Sequence, residues 1–158
     1  MPLASGFLSG KYTRDTEFPE DDHRDYNRDG AAFDVGETFS GVDFATGVKA
    51  AQEFSGQVPD GVTTAQAALA WVIAQDGVTT VIPGARSAAQ ARANAAAGAM
   101  YDVGTGLATG ALDIYDRYFR EAISSALVRK GATPSPTAAR RRMSLSGIVG
   151  HCHFGPQA

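Results

Sequence analysis

Residues 78–87 read VTTVIPGARS, and no other stretch of the chain indicates its fold class as clearly. The first five residues are apolar or β-branched and lie between a glycine and a Pro-Gly pair, a pattern typical of a short β-strand. Because they are apolar at nearly every position, they predict a strand that is buried on both faces, as parallel strands are. Ser87 then opens a Ser-Ala-Ala-Gln capping-box pattern, so the predicted order is strand, turn, helix.

Helical patterns flank this strand on both sides. Before it, the apolar spacing of residues 42–55 predicts an amphipathic helix that ends at Gly56. Residues 63–75 begin with a second capping box and continue with strong helix formers, which places Trp71 in a predicted core helix. After the strand, residues 87–97 predict an alanine-rich helix that ends at a glycine.

The remaining segments have weaker patterns. Residues 13–41 are polar and rich in turn residues, which predicts a long loop that is either a functional lid or disordered. A glycine-rich connection at residues 104–110 precedes a last amphipathic helix over residues 112–123. Residues 128–158 contain a Pro-Ser-Pro run, three consecutive arginines and no apolar periodicity, so we expect a disordered tail after a structured segment of residues 1–127.

Composition narrows the class of protein. The chain has 158 residues, 44% hydrophobic content and a formal net charge of −3, as expected of one soluble domain. A closed barrel of eight strand-helix units typically needs about 250 residues, which is more than the chain has. The acidic balance gives no electrostatic reason to expect nucleic acid or an anionic membrane as partner, and no apolar run approaches the roughly 20 residues of a membrane span.

The single cysteine gives no reason to expect an oxidising compartment or a metal site. Cys152 cannot form an intramolecular disulfide, so the default location is the cytoplasm. His151, Cys152 and His153 are packed side by side in the predicted tail without further spaced ligands. That arrangement is a poor tetrahedral site, and we expect no metal.

The turn before the alanine-rich helix has the chemistry of an anion site. A helix N-terminus presents unpaired N–H groups and a partial positive charge, and Arg86 adds a planar guanidinium that suits a phosphate. Gln90 and Asn94 are four residues apart and therefore share one helix face near this turn. An explanation without a ligand stays open, because Ser87 and Gln90 match a capping box and Arg86 can be an ordinary surface arginine.

A second stretch favours a phosphate ligand as well. Residues 2–12 read PLASGFLSGKY, which supplies small residues, hydroxyls and a lysine where a pyrophosphate can approach the backbone. The stretch is not a P-loop, because Ser5 stands where that motif needs glycine and Tyr12 stands where it needs serine or threonine. No Gly-x-Gly-x-x-Gly fingerprint follows a strand, which argues against a Rossmann domain.

Together these stretches resemble the aldo/keto reductase family, whose members are (β/α)8 barrels that reduce carbonyls with NADPH. Residues 2–12 resemble the segment after the seventh barrel strand, residues 64–72 the helix before the eighth, and residues 82–94 the site of the adenosine 2'-phosphate. The similarity extends to about residue 120. It implies an α/β chain that is the C-terminal part of a TIM barrel, its last two strand-helix units, and mostly helical when isolated.

The resemblance implies two groups of NADP(H)-binding residues. The first group would contact the cofactor's phosphates: Pro2, Leu3, Ala4, Ser5 and Lys11. The second group would hold its adenosine end: Gly84, Arg86, Gln90 and Asn94. Two positions depart from the family pattern, since Ala93 stands where a glutamate is usual and Met1 where a serine is usual.

The resemblance also implies that the chain lacks the family's catalytic residues. The Asp, Tyr, Lys and His of that group would precede residue 1, so no residue here inherits a catalytic role. We therefore expect an NADP-dependent reductase by family whose isolated chain is inactive, with NADPH and a small carbonyl compound as partners of the intact enzyme. The alternative is a non-catalytic fragment or a helical interaction module that self-associates through exposed apolar faces.

Overall fold

The structure is a computed structural model that describes residues 2–123. Within that range the regular elements include six α-helices and several short 3-10 turns. The α-helices are α1 (His23–Tyr26), α2 (Phe44–Ser55), α3 (Thr64–Ile73), α4 (Ala88–Ala96), α5 (Tyr101–Gly106) and α6 (Ala108–Tyr118). The 3-10 turns are Ala4–Ser9, Val35–Glu37, Phe39–Gly41 and Ala97–Ala99. Met1, the predicted tail with its His-Cys-His run, and the predicted boundary after residue 127 lie outside the described residues.

Helix α2 forms close to where the apolar spacing predicts it. The Asp43 side chain accepts a hydrogen bond from the Thr46 N–H at 2.9 Å and caps the first turn. The helix ends before Gly56, whose N–H donates to the Gln52 carbonyl at 3.0 Å. Its buried face includes Val48 and Phe54, so the predicted amphipathic helix is confirmed.

Helix α3 begins with the capping box that the sequence predicts. The Thr63 hydroxyl and the Gln66 N–H are 3.2 Å apart, and the Thr63 N–H donates to the Gln66 side chain at 3.1 Å. The helix ends at Ile73, two residues before the predicted end. Trp71 is 2% exposed, which confirms its place in the core.

The predicted strand at residues 78–82 is wrong for the part of the chain that the structure describes. These residues belong to no helix or strand, and Ile82 is 86% exposed instead of buried. The physical reason is pairing, because a strand's N–H and C=O groups find partners only in a neighbouring strand. No strand occurs anywhere in residues 2–123, so the partial barrel is not observed and the chain is mostly helical there.

The glycine-rich connection is also wrong, because its residues belong to two helices. Helix α5 contains Gly104 and Gly106, and α6 begins at Ala108, four residues before the predicted start. Gly104 is buried against α3, where an added Cβ would lie 2.9 Å from the Trp71 nitrogen and closer still to the Ala70 carbonyl. Glycine therefore allows α5 to pack on α3 instead of breaking the helix.

The core lies between α2, α3, α6 and the N-terminal 3-10 turn. An aromatic cluster of Phe7, Tyr12, Phe18, Phe39 and Phe44 closes one end of it. The ring centroids of Phe7 and Phe39 are 4.5 Å apart, and those of Phe39 and Phe44 are 5.1 Å apart. The cluster thus joins the N-terminal segment, the long loop and α2. No helix within residues 2–123 has the length and apolar character needed to span a bilayer.

Replacing Gly104 tests the packing of α5 on α3. We expect Gly104→Ala to lower the free energy of unfolding by about 1–3 kcal/mol, because its Cβ would overlap backbone atoms that cannot rotate away. Gly106→Ala in the same helix is the matched control, since nothing lies within 4 Å of its added Cβ. Alanine there should be neutral or stabilising by up to about 1 kcal/mol. Equal urea midpoints for the two variants would contradict this packing.

Candidate functional site

The first predicted group lies in a strained turn. Ala4 and Ser5 have φ angles of 48° and 53°, in the left-handed region that costs non-glycine residues about 1–2 kcal/mol each. Two hydrogen bonds hold Ser5 in this conformation. The Tyr12 hydroxyl donates to the Ser5 carbonyl at 3.2 Å, and the Phe39 N–H donates to the Ser5 hydroxyl oxygen at 3.1 Å. Such strain persists only where neighbouring contacts determine the conformation.

Lys11 follows this turn at the edge of an open cleft. The residue is exposed, and its ammonium makes no hydrogen bond or ion pair with any of residues 2–123. The cleft has a volume of about 310 Å³, at the lower end of the range of about 300–1,000 Å³ for ligand pockets. Its lining residues are Phe7, Gly10, Lys11, Tyr12, Thr13, Ala51, Gln52, Ser55 and Gly56. The apolar cavity in the core measures about 30 Å³ and is too small for a nucleotide.

The second predicted group folds the turn before α4 onto the helix. The Asn94 side-chain amide donates to the Gly84 carbonyl at 3.1 Å, and the Gln90 side-chain oxygen accepts from the Arg86 N–H at 2.7 Å. The predicted capping box at Ser87 is therefore half formed. Ser87 accepts from the Gln90 N–H at 3.2 Å, but the Gln90 side chain reaches one residue further back than a capping box requires. Gln90 and Asn94 share a face, as their spacing predicts.

Arg86 presents an exposed guanidinium at this helix N-terminus. Among residues 2–123 that guanidinium has no hydrogen-bond or ion-pair partner, and no acidic residue lies in the first turn of α4. An added Cβ at Gly84 would meet nothing within 4 Å, so the turn is open. The positive charge of the arginine and the partial charge of the helix end are thus both available to an anion.

The two groups lie on two different neighbours of α3, the first at the Ala4–Ser9 turn and the second at α4. Helix α3 contacts both the Ala4–Ser9 turn and α4. Its Gln66 side-chain amide donates to the Ala93 carbonyl of α4 at 3.2 Å. Within the described residues no hydrogen bond joins the two groups, and none of the residues that line the cleft at Lys11 comes from the second group. Each group keeps one cation that has no partner among residues 2–123.

Asn27 is a structural residue that sequence reasoning missed. It is 0% exposed, and its side-chain oxygen accepts from the N–H groups of Ala32 and Phe33 at 2.8 and 2.9 Å. Its amide donates to the Thr38 hydroxyl at 3.0 Å. The only available signal was the preference of asparagine for turns, which does not indicate burial. This one side chain orders the second half of the long loop.

Arg24 fixes the first half of the loop to the N-terminal segment. It pairs with Asp22, stacks over the Phe18 ring at 4.6 Å and donates to the Tyr12 hydroxyl, which in turn contacts Ser5. Hydrogen bonds from the Arg24 side chain hold the pKa of Asp22 well below its usual range, and this effect outweighs burial of the carboxyl. These contacts of Arg24 therefore order the first half of the loop against the N-terminal segment.

Metal ligands are not grouped in the described residues: nowhere in residues 2–123 do three or more His, Cys, Asp or Glu side chains come together as a metal site would need.

Comparison with known proteins gives one match. A sequence model described as the aldo/keto reductase family matches residues 1–102. The chain belongs to the aldo/keto reductase family. The matched range contains both groups of predicted site residues, although it ends before the residue 120 that the resemblance indicated. No curated protein and no solved structure matches the chain.

Membership of the family establishes the general class of activity and implies a TIM barrel as the fold of the family. Aldo/keto reductases are oxidoreductases built on a TIM barrel, and the family typically uses NAD(P)H. The matched range covers the N-terminal two thirds of the chain, and within residues 2–123 the family's barrel strands do not form. The chemistry of the residues must therefore be argued from the two groups themselves.

The Asp22–Arg24 pair predicts how stability depends on pH. The pKa of Asp22 is lower in the folded chain than its ordinary value of about 3.9, so the pair stabilises the fold above about pH 4 and this contribution is lost as the pH falls. Asp22→Asn should therefore cost about 1 kcal/mol at pH 7 and progressively less below pH 4. Urea unfolding at both pH values measures the difference. Asp21→Asn, at the exposed neighbouring carboxylate, should change neither value, and an equal effect of the two variants would argue against the pair.

Proposed function

We propose that the chain is the C-terminal, cofactor-binding part of an NADP(H)-dependent aldo/keto reductase, which converts a carbonyl to an alcohol by hydride transfer. The proposal rests on the guanidinium of Arg86 at the N-terminus of α4, which has no partner among residues 2–123 and lies inside the range that matches the family. The bound cofactor supplies the hydride. The residues of this chain bind and orient its phosphates and adenosine.

Arg86 supports a preference for the phosphorylated cofactor. Only NADP(H) carries a 2'-phosphate, and a planar guanidinium can grip a phosphate through two parallel hydrogen bonds. The α4 terminus adds N–H groups and a partial positive charge, and no first-turn carboxylate opposes them. Gln90 and Asn94 keep the turn against the helix, so that Arg86 and Gly84 stay at its open end.

The N-terminal group supports a second contact, with the pyrophosphate. Ser5 offers a hydroxyl, Lys11 offers an ammonium that has no partner among residues 2–123, and the left-handed turn at Ala4 and Ser5 bends the backbone that leads to them. Pro2 and Leu3 precede this turn and contribute backbone surface only. We infer that the two groups bind one dinucleotide, because each supplies one cation for one of its phosphate positions.

The proposal assigns residues 78–82 to the eighth strand of the intact barrel. In the described residues this segment is apolar or β-branched, has no regular secondary structure and has no strand partner, as expected of a parallel strand without its neighbours. Pairing would bury Ile82 and fix the turn that follows it. That turn carries Gly84 and Arg86, so strand pairing would also fix the adenosine end of the site.

We further propose that this chain carries no catalytic residue and is inactive by itself. The family's catalytic Asp, Tyr, Lys and His have no counterpart among the residues that resemble the family, so no group is assigned to protonate the carbonyl oxygen. NADPH and a small carbonyl compound are the partners of the intact enzyme. We place it in the cytoplasm and expect neither nucleic acid nor a membrane as partner, given its net charge of −3 and single cysteine.

A second candidate function rests on the exposed apolar side chains. Ile82 is 86% exposed, and Tyr101 is 58% exposed at the start of α5. A non-catalytic fragment or helical interaction module would use such surface to self-associate or to hold a partner. This reading leaves the unpaired cation at Arg86 without a role, which is why we favour the cofactor-binding part.

Arg86→Ala tests the proposed function by the difference between two cofactors. A charge-assisted hydrogen bond contributes about 1.5–3 kcal/mol, so the variant should bind NADPH roughly 10- to 150-fold more weakly and NADH almost unchanged. Calorimetric titration of both cofactors gives the two affinities. Arg92→Ala is the matched control, because it removes an exposed arginine from the same helix. Equal losses for NADPH and NADH would show that Arg86 has a structural role only.

A further inference from the structure

Two pairs of left-handed residues face each other beside the proposed pyrophosphate site. Ala4 and Ser5 form one pair, and Phe39 and Ser40 form the other, with φ angles of 51° and 58°. None of the four is a glycine, so neither pair adopts this conformation by intrinsic preference. Strained pairs of this kind cluster at functional sites, where surrounding contacts hold them.

One hydrogen bond joins the two pairs. The Phe39 N–H donates to the Ser5 hydroxyl oxygen at 3.1 Å, and the Phe39 side chain, 1% exposed, packs its ring against Phe7 in the same N-terminal turn. A hydroxyl that accepts a bond from a fixed N–H still has its own proton to donate. Ser5 can therefore direct that proton to an anionic oxygen outside the loop.

Asn27 and Thr38 hold this N–H in place from inside the loop. Asn27 is fully buried, anchors the loop backbone at Ala32 and Phe33, and donates to the Thr38 hydroxyl at 3.0 Å. Thr38 is 1% exposed and directly precedes Phe39. Two buried side chains thus constrain the backbone next to the Phe39 N–H, and like Ser5 they are not among the residues that line the cleft at Lys11.

We propose that Asn27 and Thr38 are positioning residues, which hold the Phe39 N–H against Ser5 so that the Ser5 hydroxyl presents its proton to the pyrophosphate of the dinucleotide. The long loop then belongs to the cofactor site, although neither residue touches the cofactor. This inference rests on the proposed function, because it assumes that residues 2–12 bind the phosphates of NADP(H).

The test compares two ligands on the full 158-residue chain. NADPH engages both groups of residues, whereas adenosine 2'-monophosphate has no pyrophosphate and engages only the group around Arg86. Thr38→Val removes the hydroxyl that accepts from Asn27 with little change of volume, and Thr38→Ser keeps that hydroxyl. We expect Thr38→Val to weaken NADPH by about tenfold, the effect of one lost hydrogen bond, and to leave adenosine 2'-monophosphate unchanged. Thr38→Ser should restore NADPH binding.

Ser5→Ala supplies the second variant and a double-mutant cycle. It should cause the same selective loss of NADPH, and adding Thr38→Val to it should cost nothing more, because both changes act on one hydroxyl. Ser5→Ala with unchanged NADPH affinity would overturn the proposal even if Thr38→Val failed to fold. Equal loss of both ligands in Thr38→Val, or a further loss in the double variant, would also overturn it.

The same titrations separate this inference from the proposed function. If the parent chain binds both ligands and Arg86→Ala weakens both, the proposed function stands, and the Thr38 variants decide the inference alone. If the parent chain binds neither ligand, the proposed function fails and the role of Asn27 and Thr38 falls with it.

Discussion

Backbone hydrogen bonding is the constraint on which the described structure depends. A helix satisfies its N–H and C=O groups within one segment, whereas a strand needs a neighbouring strand. Helices α2, α3 and α6 meet this requirement locally and supply the core, with Trp71 and Ile114 buried between them. Residues 78–82 have no strand beside them within residues 2–123, and Ile82 stays exposed. Hydrogen bonds to α4 therefore hold the turn that carries Arg86, whereas the segment before this turn has no strand to pair with in residues 2–123.

The parts of the fold that local chemistry determines could be predicted from the sequence. Thr63 with Gln66 marks the start of α3, and Ser87 the start of α4, because a capping side chain bonds to N–H groups two or three residues away. Gly104 could not be interpreted correctly, since its role depends on the approach of α5 to α3. Asn27 lies in a polar loop whose sequence pattern is typical of surface residues, and only the folded loop shows that Asn27 is fully buried.

The candidate site was predictable as a set of residues but not as an arrangement. The residue types at Arg86, Gln90 and Asn94 indicated an anion site, and the structure brings their turn and helix together through two side-chain bonds. Small residues, hydroxyls and a lysine in residues 2–12 indicated a phosphate ligand, and the resemblance pointed to Ser5 and Lys11. The Phe39 N–H that supports Ser5 comes from a loop distant in sequence. Long-range contacts of this kind leave no periodicity in a sequence. The loop and the N-terminal turn must therefore be considered together as one element of the proposed cofactor site.

The central claim is that this chain binds a reduced dinucleotide and does not turn it over. The direct measurement follows NADPH absorbance during incubation of the 158-residue chain with a panel of reactive aldehydes, beside a fluorescence titration of NADPH on the same preparation. Losing a positioned general acid alone removes a factor of about 10² to 10⁴ in rate. We therefore expect saturable binding with oxidation no faster than the buffer blank. Oxidation above the blank that disappears in Arg86→Ala would show that the chain contains a catalytic group, and would contradict the account.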